Sequence, residues 1–132
     1  MPTRTILVID DDAAHRSLLT DVFEEAGFGV IAVGDAADAL AHLSRPIDLV
    51  LLDLVMPGAV MDGFAFLSKA NERGQLTDTP VIVLSGLGES VTEALDPATA
   101  TTLRIVSVVS KPIDLAALLS TVRAVLDLPD RP

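Results

Sequence analysis

The stretch Leu49-Val50-Leu51-Leu52-Asp53-Leu54-Val55-Met56-Pro57 constrains the fold of this chain more than any other. Four apolar residues run unbroken into a carboxylate, and a proline follows four positions later. A strand with one wet face alternates apolar and polar residues. An unbroken run therefore reads as a strand buried on both faces, the usual state of a central strand in a parallel sheet. Asp53 then stands at the C-terminal end of that strand. In open α/β sheets the helices cover both faces and leave a crevice above the strand ends, which is where ligands gather. Aspartate also closes strands as an ordinary turn former, so the rest of the chain has to decide between turn and site.

The pattern recurs. Thr5-Ile6-Leu7-Val8-Ile9 is a second unbroken run, and it ends on Asp10-Asp11-Asp12. Asp12 reads as the N-cap of an amphipathic helix in which Leu18, Leu19, Val22, Phe23 and Ala26 recur at helical spacing before Gly27 stops it. Residues 30–33 form a short strand. Asp35 then caps a helix that turns Ala37, Leu40, Ala41 and Leu43 inward and ends before Pro46. Beyond the Leu49 strand, a loop from Met56 to Asp62 leads to a helix with Phe64, Leu67 and Ala70 on one side, ending near Gly74. Residues 80–84 predict a fourth strand that ends on Ser85-Gly86. Asp96-Pro97 reads as an N-cap and first helical position. Residues 103–109 predict a fifth strand before Ser110-Lys111-Pro112. A last helix, capped by Asp114, carries Leu115, Leu118, Leu119, Val122, Val125 and Leu126. Repeated strand-then-helix units imply right-handed crossovers and a five-stranded parallel sheet covered on both sides, a doubly wound α/β fold of (βα)5 type.

Length and charge exclude several function classes. A chain of 132 residues holds one core, expected over residues 1–127, with 128–132 as a tail or the start of a linker. The net charge of -10 and the absence of any lysine- or arginine-rich run argue against nucleic-acid binding, which depends on neutralising phosphates. With no cysteine there is neither a disulfide framework nor a thiolate metal site. No signal-peptide pattern or membrane-length apolar run is present, so a soluble cytoplasmic protein is expected.

Four of the five strands end at the same sheet edge on chemically capable residues: Asp10 and Asp11, Asp53, Ser85, and Lys111. Carboxylates a few ångströms apart repel one another unless a cation sits between them. Hard oxygen ligands suit Mg²⁺, which keeps waters and a phosphate oxygen beside one or two carboxylates. Lys111 adds a fixed positive charge and Ser85 a hydroxyl. A phosphoryl group on Asp53 matches that set, with the carboxylate as nucleophile and the surrounding charges stabilising the transfer.

The sequence closely resembles the receiver domains of two-component response regulators over essentially its whole length. The resemblance is carried by Ile9-Asp10-Asp11, Leu52-Asp53 with Met56-Pro57, Asp62-Gly63, Ser85-Gly86 and Lys111-Pro112, all in order. It implies a flavodoxin-like sheet of order 2-1-3-4-5. It further implies that Asp53 takes phosphate from a sensor histidine kinase or histidine phosphotransfer protein. Asp11, Asp53 and the backbone carbonyl of Val55 would bind Mg²⁺, with Mn²⁺ as a substitute and Asp10 acting through a metal-bound water. Ser85, Gly86 and Lys111 would receive the phosphoryl group. Such a domain promotes only its own phosphorylation and slow dephosphorylation, and passes the signal to an output domain or a second copy of itself.

The chain departs from the family pattern in places. The stretch Gly58-Ala59-Val60-Met61 is longer than usual, as is the segment between Ser85 and Lys111. The aromatic residue common three positions before the lysine is Val108 here, so any switch is expected to use movement of residues 85–102 rather than coupling of Ser85 to a ring. Val55 and Leu87 stand where side chains would hold a hydrolytic water, and neither can hydrogen-bond one. A long-lived phosphoryl group is therefore expected. His15 and His42 read as surface residues apart from the acid cluster, and Arg16 as a solvated helix position, with an answer to the acid cluster as its alternative. Two competing functions remain. A haloacid-dehalogenase-like phosphatase shares the strand-end aspartate but needs a further acidic motif and a longer chain. A pseudo-receiver would bind partners without phosphate.

Overall fold

Five strands form one parallel sheet in the computed structural model, which describes the backbone of residues 3–54, 57–76, 78–85 and 97–128, and the side chains of these except at Ala36 and 54–64. In chain order the elements are β1 (Thr5–Ile9), α1 (Ala13–Glu25), β2 (Gly29–Val33), α2 (Ala36–Ala41), β3 (Leu49–Leu54), α3 (Pro57–Glu72), β4 (Val81–Ser85), α4 (Pro97–Leu103), β5 (Ile105–Ser110) and α5 (Leu115–Val125). The strand order is β2-β1-β3-β4-β5, as expected. Ile6, Leu7, Val8, Leu49, Val50, Leu51 and β4's Val81 to Leu84 are completely buried. That is why these runs carry no polar alternation.

The pleat divides those residues between two layers. Leu7, Val50, Leu52, Val81 and Val83 meet Ala39 and Leu43, and Phe66, Leu67 and Ala70 of α3, on one face. Ile6, Val8, Leu49, Leu51, Ile82 and Leu84 meet Leu19 and Phe23 of α1 and Leu118 and Val122 of α5 on the other. Phe28 closes that second layer edge-to-face on Phe23, with ring centroids 5.9 Å apart. Asp12, Asp35 and Asp114 cap α1, α2 and α5 by accepting backbone N–H groups of the first turn. Gly27, at φ 98°, supplies the left-handed turn after α1 that a side chain would resist.

Several boundaries and faces differ from expectation. α3 begins at Pro57, so Gly58-Ala59-Val60-Met61 belong to a helix and not to a loop before Asp62. Proline at the first helical position has its φ preset and lacks only an N–H that would go unbonded there. Leu103 closes α4 instead of opening β5, because Arg104 at φ 61° breaks the chain direction between them. On α1 the buried stripe runs through Leu19 and Phe23, leaving Leu18 46% exposed. On the α2 side Ala39 and Leu43 are buried, while Ala37 and Ala41 face solvent. Pro97 does open a helix, as read from the sequence. Phe64's side chain, Asp96 and most of the segment 85–102 lie outside the described residues. Among the described residues, no helix is long and apolar enough to cross a membrane.

Candidate functional site

Strand register places the functional side chains. Ile9 pairs with Leu52, so the next residues, Asp10 and Asp53, emerge side by side at the C-terminal edge. Leu54 pairs with Ser85 and Ser85 with Ser110, which brings β4 and Lys111 to the same edge. The Lys111 N–H donates to the Ser85 carbonyl at 2.8 Å and carries the ladder one residue past β5. By the two-residue period, Asp10 continues the row of Ile6 and Val8, and Asp53 the row of Leu49 and Leu51. That row faces α1 and α5, so the two carboxylates rise beneath the first turn of α1.

Both carboxylates are out of water, with residue exposures of 1% for Asp10 and 6% for Asp53. Each commits one oxygen to the protein. Asp10 Oδ1 accepts from the Asp12 N–H at 2.9 Å. Asp53 Oδ1 accepts from Lys111 Nζ at 2.6 Å. The two remaining oxygens converge on one atom, His15 Nδ1, which lies 2.6 Å from Asp10 Oδ2 and 2.8 Å from Asp53 Oδ2. A single ring N–H can serve one acceptor well. It bonds Asp10, and Asp53 Oδ2 is left buried without a hydrogen bond.

Burial pushes the Asp53 carboxyl above its ordinary range; the Lys111 hydrogen bond opposes this and the Asp10 charge adds to it. Asp12 is held below its usual value by the His15 backbone N–H that it caps. Hard oxygens from two buried carboxylates, one of them unsatisfied, fit a divalent cation. Asp10, His15 and Asp53 each offer a ligand atom, and these lie within 4.8 Å of one another.

The edge thus gathers Asp10, Asp53, Ser85 and Lys111, and Ser85 is 1% exposed. Asp11 is exposed and stands outside the group of potential ligands. Val108 is half-buried on β5 against the α3-side layer. Val55, Gly86 and Leu87 lie outside the described residues.

Two residues were misread from sequence. His15 is no surface residue: it stands one turn before Leu19 and two before Phe23, on the buried stripe of α1. That spacing was the available signal, hidden by starting the stripe at Leu18. Arg16 is not simply solvated either, since its Nη1 donates to the Asp10 carbonyl at 2.7 Å. His42 is half-buried and its Nδ1 bonds the Asp38 carbonyl, away from the site.

A family model described as the response regulator receiver domain matches residues 6–123. The transcriptional regulatory protein CpxR of Escherichia coli (strain K12) is 36% identical over 121 residues, covering 92% of this chain and 48% of its own length. The chain therefore spans about half the length of the curated relatives it matches. Among solved structures, a sensor protein from Polaromonas sp. JS666 superposes with a TM-score of 0.80 at 25% identity, covering 96% of this chain and 98% of that one. The chemotaxis protein CheY4 of Vibrio cholerae superposes with a TM-score of 0.76 at 24% identity, covering 94% and 99%, which shows the shared fold.

Proposed function

The chain belongs to the response regulator receiver domain family, and from that premise we propose that Asp53 is its phosphoacceptor, charged by the phosphohistidine of a sensor histidine kinase or a histidine phosphotransfer protein. The observation that carries this reading is the state of Asp53. It is a buried strand-end carboxylate with one oxygen on Lys111 and the other unsatisfied at the crevice.

In the proposed reaction a carboxylate oxygen of Asp53 attacks phosphorus, an acyl P–O bond forms, the donor's P–N bond breaks, and the leaving imidazole keeps its electron pair and takes up a proton. Lys111, 2.6 Å from Asp53, orients the carboxylate and remains as a cation beside the incoming oxygens. Ser85 is placed at the same edge to offer a hydroxyl to the phosphoryl group, with Gly86 beside it in sequence. Asp10 is fixed by the Asp12 N–H on its side chain and by Arg16 on its carbonyl, so its Oδ2 stays aimed into the crevice, where it now bonds His15. The proposed cation is Mg²⁺, with Mn²⁺ as substitute, held by Asp53, Asp11 and the Val55 carbonyl, and by Asp10 through water. Its contribution would be positive charge against the carboxylate pair and the transferring oxygens.

On this reading the domain is no enzyme toward other substrates, and it works in the cytoplasm. Its output passes through a joined domain or a second copy. Val55 and Leu87 leave the acyl phosphate slow to hydrolyse, and any switching uses residues 85–102, given valine at 108.

The test is intact mass after incubation with Mg²⁺ and acetyl phosphate. One added phosphoryl group is expected in the wild type, absent in Asp53→Ala and absent after chelation. No adduct in the wild type, with rapid hydrolysis excluded by quenching, would overturn the proposal.

A further inference from the structure

The arrangement around His15 goes beyond two carboxylates and a lysine. Asp10 and Asp53 turn their Oδ1 atoms toward protein donors and their Oδ2 atoms toward the same ring nitrogen. The carboxylate side chains are 0% and 1% exposed, and the His15 side chain is 22% exposed. Asp53 Oδ2 is a buried polar atom with no hydrogen-bond partner, aimed into the space that Nδ1 borders.

Geometry decides what such a triangle can hold. A six-coordinate cation with bonds of about 2.0–2.1 Å sets neighbouring ligand atoms about 3 Å apart. The two edges from Nδ1 are 2.6 and 2.8 Å and the two carboxylate oxygens lie within 4.8 Å of each other, so the three atoms are close enough for a modest adjustment of the side chains to bring them onto one face of a coordination shell. Each carboxylate is already oriented from behind, Asp10 by the Asp12 N–H and Asp53 by Lys111, as outer-layer hydrogen bonds orient ligands in metal sites, and the Arg16 guanidinium holds the Asp10 main chain through its carbonyl. Ligation through Nδ1 needs the ring proton on Nε2, so the proton that now bonds Asp10 moves to Nε2 by way of water as the ion enters.

We infer that His15 Nδ1 joins Asp10 Oδ2 and Asp53 Oδ2 in a mixed nitrogen–oxygen site that shifts cation preference from Mg²⁺ toward later first-row ions such as Ni²⁺ and Zn²⁺. Imidazole suits those ions, and Mg²⁺ takes oxygen. The inference rests on the acidic pocket being the domain's cation site, and it differs from the Mg²⁺ arrangement proposed above in adding His15 and in bringing Asp10 Oδ2 into direct contact with the ion in place of a bridging water.

The experiment is calorimetric titration of the full chain with MgCl₂, NiCl₂ and ZnCl₂, on wild type, His15→Leu and His42→Gln. The Ni²⁺-to-Mg²⁺ affinity ratio should fall about tenfold or more in His15→Leu, a loss on the scale of other changes around metal ligands. It should not change in His42→Gln. An unchanged ratio in His15→Leu would overturn the inference. So would an equal tightening of all three ions, which would mean that the ring merely obstructs the pocket. Should His15→Leu fold poorly, ¹⁵N imidazole spectra of the wild type with Zn²⁺ decide: a large shift at Nδ1 of His15 supports ligation, and no shift ends it. The acetyl phosphate adduct of the wild type in Mg²⁺ reports on Asp53 separately, so failure of that reading and failure of this one can be told apart.

Discussion

His15 and Phe23 stand on one stripe of α1, two turns apart, and the same helix does opposite things at the two positions. At Phe23 the stripe meets Phe28 in a fully apolar layer, and the side chain is 0% exposed. At His15 it meets the ends of β1 and β3, where the rows that were isoleucine, valine and leucine become Asp10 and Asp53. Packing satisfies the first end completely. The second retains a carboxylate oxygen with no hydrogen bond and a raised carboxyl pKa. A helix that is rigid at one end can therefore hold a polar ring against a charged pocket at the other.

Substitutions along α1 should separate the two ends. The largest effect is expected at the apolar end: Phe23→Ala should cost about 3–5 kcal/mol of stability, read from urea unfolding. The folded fraction should keep its Asp53 adduct in the mass assay. If folded Phe23→Ala could not be labelled, the two ends would not be separable.

A smaller effect is expected from pH at the polar end. Between the ordinary carboxyl value of 3.8 and its own raised value, Asp53 in the fold binds more protons than it does in the unfolded chain. Its contribution to stability is thus fully present below 3.8 and is lost as pH rises through the folded pKa. Without divalent cations, Asp53→Asn should flatten that part of the stability–pH curve, and an unaltered slope would show that burial does not govern the group. The smallest effect is expected at Leu18, beside the buried stripe and 46% exposed, where Leu18→Ser should change stability by no more than about 0.5 kcal/mol.

The sheet was legible in the sequence because burial on both faces leaves an unambiguous mark, the unbroken apolar run. The polar residue closing each run then marked the edge. Helix starts were less legible. Asp12, Asp35 and Asp114 announce their helices by cap chemistry, whereas Pro57 sits in a stretch that reads as loop up to Asp62 and yet opens α3, as proline's preference for the first turn allows. Of the site, the strand-end residues were readable one by one. The histidine between them was not, because α1 offered two overlapping stripes and only packing distinguishes Leu18 from Leu19. Arg16 was legible only as a charge able to answer the acid cluster, and its actual acceptor was not, since that is a main-chain carbonyl, which every residue possesses.

That last contact extends the pocket's reach. Gly34, just past β2, has room for no side chain without adjustment: a Cβ built there would lie 3.0 Å from Arg16 Nη1. Any larger residue at 34 would press on the guanidinium that holds the Asp10 main chain. The turn leaving an outer strand of the sheet thus borders the acidic centre through one arginine, and glycine there leaves that arginine the room in which it reaches the Asp10 main chain.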